Sequence, residues 1–322
     1  MQHGGTAESQ PLVEIVMAVY NGEQFLREQL DSLLAQSYSN WKLLVSDDNS
    51  SDASLEIIKE YVALDSRISL ALKDEHFGSA KAHFMRLLGL TSAPYVMCCD
   101  QDDVWDADKI ELTLARMLKE ENKTPDTPLL ICTDLRVVDQ ELNEISPSFL
   151  TYSGFKSTKL SFGYFLSTSL VTGCTLMANK PLMNLLVVLP NIENISMHDW
   201  WLSLIAAAFG RIVYINKPTI SYRQHEDNSV GAIKRSISSS IASFKSLQKA
   251  YAETILQVGE FLKIYGGSLD PQKRAQASAY FGLKDARPHK ALTLIKKADC
   301  LRDDTQSNIG LILTAIAGPI FK

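Results

Sequence analysis

The chain lacks three signatures that would have named its chemistry quickly. It has no G-x-x-x-x-G-K-[ST] phosphate loop, no G-x-G-x-x-G after a strand, and no G-x-S-x-G. These absences argue against P-loop nucleotide hydrolysis, nicotinamide-dependent redox chemistry and α/β-hydrolase chemistry. Cysteine is scarce and odd in number, at Cys98, Cys99, Cys132, Cys174 and Cys300, with no C-x-x-C pair. That pattern fits reduced, core-filling thiols of a cytoplasmic protein better than a disulfide framework or a zinc site. No run approaches the roughly 20 apolar residues of a spanning helix. The nearest, Ile309 to Phe321, is too short. Residues 1–10 are polar, without the apolar stretch of a signal peptide, and are expected to be disordered. No basic surface interleaved with aromatics suggests a nucleic-acid partner.

What is present is enough for a large domain and an appendage: 322 residues, 46% of them apolar and 21% charged. The net charge of −5 is unevenly spread. Residues 231–322 carry 14 Lys and Arg against 7 Asp and Glu, so the first 230 residues are strongly acidic. A basic tail on an acidic body suggests that the tail meets an anionic surface, or that it presents a solvated helical face.

Apolar runs and helical spacings alternate along the first 120 residues. Strands are expected at 13–19, 41–46, 68–72 and 95–99, with helices at 23–36, 52–63, 78–90 and 106–120. Further strands are expected at 129–138, 170–177, 211–215 and 219–222, and helices at 179–189 and 198–209. Residues 144–160 suggest a loop. A long amphipathic helix over 239–265 and another from Asp270-Pro271 follow. Strand–helix alternation with short links predicts an α/β fold, a mainly parallel sheet flanked by helices on both faces. Ligands bind such sheets beyond the carboxyl ends of the strands. Three strand ends there carry polar groups: Tyr20 to Glu23, Asp47 to Asn49, and Asp100 to Asp103.

Asp100, Asp102 and Asp103 place three carboxylates within four positions after an apolar strand. Mutual repulsion calls for a cation, and a hard oxygen-seeking one such as Mg²⁺ or Mn²⁺ suits a diphosphate. Asp47 and Asp48 end the second strand, where they suit a base or ribose, or else a turn and helix cap. Asp199 opens an apolar helix beside two tryptophans, where desolvation would raise its pKa and suit it to general-base work; the helix dipole opposes this. Arg223 suits phosphate, and His225 suits a metal.

Jointly these segments resemble the family 2 glycosyltransferases, whose fold is termed GT-A. The resemblance covers roughly residues 11–230. Val16 to Gly22 is similar to that family's first strand and turn, and Asp100-Gln101-Asp102-Asp103-Val104-Trp105 is similar to the D-x-D-D-x-W form of its rhamnosyltransferase branch. The resemblance implies a catalytic domain over 11–230, with a nucleotide-sugar half at 11–120 and an acceptor half at 121–230. A helical region over 231–322 follows. It also implies roles. Tyr20, Glu23, Asp47 and Asp48 would meet the nucleoside, Asp100 the ribose or a metal-bound water, and Lys81, Gln101, Asp103, Trp105, Arg223 and Gln224 the rest of the donor. Asp102 and His225 would hold Mg²⁺ or Mn²⁺, and Asp199 would be the base of an inverting transfer. The sequence departs from the family at His76 and His83, where Asn is usual, and at His198, where an acidic residue is frequent.

The implied donor is dTDP-L-rhamnose, or else a UDP-hexose, and the implied acceptor a surface polysaccharide or lipid-linked saccharide. Two rival readings stand beside this one. A nucleotidyltransferase would carry a Gly-rich basic loop after the first strand, where this chain has Tyr20-Asn21-Gly22-Glu23. A catalytically inactive glycan-binding scaffold is the other. Lys284, Arg287, Lys290, Lys296, Lys297 and Arg302, followed by Ile309 to Phe321, compose like an interfacial anchor. The enzyme is therefore expected in the cytoplasm, with peripheral contact at the inner face of the plasma membrane through this tail, or with the tail packed on the body.

Overall fold

The structure, a computed structural model, describes residues 10–72, 75–155, 159–225, 241–302 and 305–318. The expected disordered start (save Gln10), the boundary at residue 230, the first basic residues of the tail and the end of its apolar stretch lie outside the described residues.

The first half alternates as the apolar pattern predicts. Strands β1 (Val13–Val19), β2 (Trp41–Asp47), β3 (Ile68–Leu70) and β4 (Tyr95–Cys99) alternate with helices α1 (Leu26–Leu34), α2 (Ser54–Leu64) and α3 (Ala80–Leu88). The strands pair in parallel in the order β3-β2-β1-β4. β1 is buried on both faces, as a central parallel strand must be. Val13, Ile15, Met17 and Val19 enter one apolar layer, and Val16 the other. Val19 lies opposite Asp47, and Met17 opposite Cys99. The three strands therefore end at one edge, with Asp48 beside Tyr20 and the loop from Asp100 opening beside Ala18.

The second half departs from a parallel sheet. It comprises β5 (Val104–Trp105), β6 (Leu129–Val138), β7 (Glu144–Ser146), β8 (Leu176–Asn179) and β9 (Arg211–Arg223). Helices α4 (Lys109–Glu121), α5 (Phe149–Tyr152), α6 (Phe162–Ser167), α7 (Lys180–Met183) and α8 (His198–Phe209) run between or beside them. β8 is inserted antiparallel between β4 and β6, β9 pairs parallel to β6, and β5 antiparallel to β9. The sheet is mixed and helix-flanked. Three local expectations are corrected. The strand expected at 170–177 is a 3-10 turn followed by β8. The loop expected at 144–160 holds β7 and α5. The pair at 211–215 and 219–222 is one strand: Ile215 pairs with Thr133 and Pro218 with Asp134, so Asn216 and Lys217 bulge out of the ladder. Proline donates no ladder hydrogen bond, and a bulge is where a strand tolerates it.

Helices α9 (Ile241–Tyr265), α10 (Pro271–Phe281), α11 (Pro288–Ala298) and α12 (Thr305–Ala317) complete the described chain. The predicted stripe of α9 is the seam. Tyr251, Ile255, Val258 and Phe261 join the same apolar layer as α6 and α8, with Phe261 edge-on to Trp201 at 5.8 Å. Leu247, whose spacing puts it on the same stripe, is 41% exposed instead. The α11–α12 turn is tied to α6, as Ser167 donates to the Cys300 carbonyl and Arg302 to that of Ser167, both at 2.8 Å. At Gly163 a Cβ would stand 2.5 Å from the Asp299 carbonyl, so only glycine admits this approach. All five cysteines are free and buried. Among the described residues, no helix is long and apolar enough to cross a membrane.

Candidate active site

A cavity of about 570 Å³ opens beyond the carboxyl ends of β1, β2 and β4. Tyr20, Asp48, Asp100, Gln101, Asp102 and Asp199 all line it, joined by His83, Thr172, Gly173, His198 and Tyr222. Residues from opposite halves of the sequence thus meet across one space.

The turns that carry these groups brace each other. Gln101 clasps the backbone of Tyr20, accepting from its N–H at 2.8 Å and donating to its carbonyl at 3.0 Å. Asn21 holds a left-handed φ of 47°, and its carboxamide accepts from the Ser51 N–H at 2.8 Å. Glu23 accepts from the Ala53 N–H at 2.8 Å. Asp47 accepts from Ser50 N and Oγ at 3.0 and 2.5 Å. Asp48 accepts from Phe77 N at 2.6 Å and Gly78 N at 2.9 Å, with His76 at 3.0 Å. Tyr20 lines the cavity and is 57% exposed.

The acidic loop is the most electrostatically loaded part of the site. Burial, then the charges of Asp102 and Asp199, push Asp100 up to about 7. Burial, with Asp102 and Asp100 adding to it, also drives Asp103 well above the carboxylate range. Lys109, wholly buried behind the loop with its ammonium 4.6 Å from the centre of the Trp105 ring, is brought down to about 8 by burial. Asp102 faces His225, with Oδ2 and Nε2 at 2.8 Å. The pairing of β5 with β9 brings them together, since it lays the end of β9 beside the loop.

Two donor sets could receive a cation. Asp102, which lines the cavity, and His225 beside it offer a carboxylate oxygen and an imidazole nitrogen. Asp100, Asp103 and Cys174 bring their donor atoms within 4.8 Å of one another, Asp103 and Cys174 being buried. Thiol sulfur is a soft donor that suits hard Mg²⁺ or Mn²⁺ poorly. The Asp102–His225 pair is chemically the better fit.

Asp199 stands in the first turn of α8. Trp200 N donates to it at 2.6 Å, and the backbone of Gly173 lies against it. Burial outweighs both and raises it to about 6. The tryptophans do not wall it. Trp200 donates to the Phe165 carbonyl at 2.7 Å and Trp201 lies in the core. The wall is instead Thr172, Gly173, Met197 and His198. A Cβ on Gly173 would stand 2.7 Å from the His198 ring, so glycine is needed there.

Several expected donor contacts point elsewhere. Lys81 donates to the Ile195 carbonyl at 2.8 Å. Trp105 is 3% exposed in the core. Arg223 is 2% exposed, and Gln224 continues the ladder by donating to the Val138 carbonyl at 2.9 Å. These four, with Glu23, Asp47, Asp103 and His225, stand off the cavity wall. Sequence reasoning missed Thr172, Gly173 and Tyr222 on the wall and Lys109 beneath it. A glycine and a threonine in a loop carry no signal of what they face.

Comparison with known proteins gives one consistent picture. The family described as Glycosyl transferase family 2 matches residues 14–184. The chain is 32% identical over 234 residues to the dTDP-rhamnosyl transferase RfbG of Shigella flexneri, covering 67% of this chain and 74% of that protein. It is 28% identical over 202 residues to the putative teichuronic acid biosynthesis glycosyltransferase TuaG of Bacillus subtilis (strain 168), covering 62% and 74%. Among solved structures, S. aureus TarS 1-349 in complex with UDP-GlcNAc superposes with a TM-score of 0.59 at 16% identity, over 94% of this chain and 79% of that one. At that identity the likeness speaks for the fold.

Proposed function

We propose a specific reaction for this chain, which belongs to glycosyl transferase family 2 and so is a glycosyltransferase that works on nucleotide sugars: inverting transfer of a hexosyl group onto a saccharide acceptor. The observation that carries the reading is the shared cavity, which Asp199, Asp100 and Asp102 all line. Asp199 takes the proton of the acceptor hydroxyl, and that oxygen attacks the anomeric carbon from the face opposite the diphosphate. The anomeric C–O bond breaks, and the nucleoside diphosphate leaves with the electron pair.

Asp102 and His225 are the residues that would hold Mg²⁺ or Mn²⁺. When bound, the cation supplies positive charge for the departing diphosphate. Tyr20 offers its ring to the base at the rim, while Asp48 holds the 76–78 loop that forms the wall. The first donor proposed is dTDP-L-rhamnose, supported by the likeness to RfbG and the D-x-D-D-x-W segment; a UDP-hexose is second. The acceptor proposed is a surface polysaccharide or its lipid-linked precursor, in keeping with the likeness to TuaG. The test is a thermal-shift and donor-hydrolysis screen of dTDP-rhamnose, UDP-glucose, UDP-galactose, UDP-N-acetylglucosamine and GDP-mannose, each with Mn²⁺ and with EDTA. One dTDP or UDP donor is expected to raise Tm and to turn over only with Mn²⁺. A response to GDP-mannose alone would remove the pyrimidine assignment.

Peripheral contact with the inner face of the plasma membrane belongs to the same reading. Ile309, Leu313 and Ile316 make one stripe of α12, exposed at 52, 50 and 39%. Lys290, Lys296 and Lys297 are exposed on the neighbouring α11. An apolar stripe beside basic side chains suits an anionic lipid surface. The full chain is expected to float with vesicles containing phosphatidylglycerol and to lose most of that binding on joint Ile309→Asp and Leu313→Asp substitution. Equal flotation of the two proteins removes the membrane contact.

A further inference from the structure

We infer that Arg223 is a positioning residue for the Asp102–His225 pair and not a ligand of the donor's phosphates; this rests on that pair being the cation site. Its charge and its hydrogen bonds are committed behind the site. Nε donates to the Asp102 carbonyl at 2.9 Å, Nη1 to the Gln140 carbonyl, and Nη2 to the Glu28 carboxylate at 2.6 Å. Its backbone N–H donates to Asp103 Oδ1 at 3.2 Å. The guanidinium carbon lies 4.4 Å from the centre of the Phe25 ring, and that ring lies 5.2 Å from the ring of His225.

One side chain therefore joins three segments: the start of α1, through Phe25 and Glu28; the acidic loop, through Asp102; and the turn after β6, through Gln140. The planar fork of arginine can reach several acceptors at fixed angles, which a lysine ammonium cannot. A buried guanidinium also needs a counter-charge. Glu28, in the first turn of α1, supplies it from a side chain 55% exposed. Without Glu28, the charge of Arg223 is left beside Asp102 and Asp103, whose carboxylates it would then compete for. A donor phosphate, by contrast, would have to displace Glu28 from a residue that does not line the cavity.

The experiment uses the full chain and two variants, Glu28→Gln and Arg223→Lys. Mn²⁺ uptake by nucleotide-free protein is followed by the loss of the free Mn²⁺ electron-paramagnetic signal. UDP and dTDP binding is measured in EDTA. Removing a group that orients a metal ligand is expected to weaken Mn²⁺ binding about 10-fold or more, most in Arg223→Lys, with nucleotide affinity in EDTA within about twofold of wild type. Unchanged Mn²⁺ affinity in Glu28→Gln overturns the inference. So does a loss of nucleotide affinity in Arg223→Lys that exceeds its loss of Mn²⁺ affinity. Should Arg223→Lys fail to fold, Glu28→Gln decides alone, because Glu28 is a surface side chain. Wild-type protein that takes up no Mn²⁺ overturns the cation assignment itself, a result distinct from failure of the Arg223 role.

Discussion

Asp199→Asn is expected to lower kcat by about 10²–10⁴-fold, the usual worth of a positioned general base. That corresponds to about 3–5 kcal/mol of transition-state stabilisation. The substitution is isosteric, and an amide oxygen can still accept from Trp200 N, so dTDP and UDP affinity should change by no more than about twofold. The pH profile gives an independent check. A base must be ionised to act, and burial raises Asp199 to about 6. Wild-type kcat/KM should therefore fall tenfold per unit as pH drops below about 6 and be flat above it, and the asparagine variant should lack this limb. An acid limb that survives in Asp199→Asn assigns the base elsewhere. Stability separates a lost base from a damaged fold. A folded-state pKa above the ordinary 3.8 favours folding below that value, and the advantage is lost as pH rises through about 6. At pH 7.5 the half-buried carboxylate is thus a cost, and Asp199→Asn should melt no lower than wild type.

Why those residues could be found in sequence is a matter of geometry. A parallel sheet built from β1, β2 and β4 in register ends its strands on one side. Polar groups placed just after apolar runs must then share an edge, and Tyr20, Asp48, Asp100 and Asp102 do. Asp199 and His225 are legible as candidates from their residue types at a helix start and a strand end, and the family resemblance gives them their roles. The antiparallel insertion of β8 and the pairing of β5 with β9, which hydrophobic periodicity does not encode, bring Asp199 to the cavity and His225 beside Asp102. A four-residue strand such as β8 is too short to show a period at all.

Trp105 marks the limit of reading a motif as a contact list. It closes the D-x-D-D-x-W segment, yet alternation along β5 turns it into the core while Val104 is half-buried. Its place in the motif reflects the packing that supports the acidic loop. Arg223 follows the same logic. Its partner Glu28 lies 195 residues away, and nothing local in either segment announces the pair. Lys109 beneath the loop is legible only as a charge in a helix, although it is wholly buried and feels the charge of Asp103. Residues that touch substrate cluster at strand ends; those that hold them come from wherever the fold passes behind.

Asp102→Ala is expected to abolish Mn²⁺-dependent transfer, lowering kcat/KM by about 10²–10⁴-fold if the cation is worth several kcal/mol to the departing diphosphate. The loss should not be one of folding. Asp102 is a source of the repulsion that raises Asp100 and Asp103, so its removal relieves a cluster that burial already strains. Tm measured in EDTA should therefore stay level or rise, while the Tm increase produced by Mn²⁺ disappears. His225→Ala should act in the same direction, and the double variant should be little worse than Asp102→Ala, because two ligands of one ion do not act additively. Cys174→Ser distinguishes the other donor set. If Mn²⁺ activation survives Asp102→Ala and is lost in Cys174→Ser, the ion sits among Asp100, Asp103 and Cys174, beneath the cavity floor. If it is lost in Asp102→Ala and survives in Cys174→Ser, the thiol is a packing group against two carboxylates. The soft character of sulfur and the complete burial of Asp103 favour the second result.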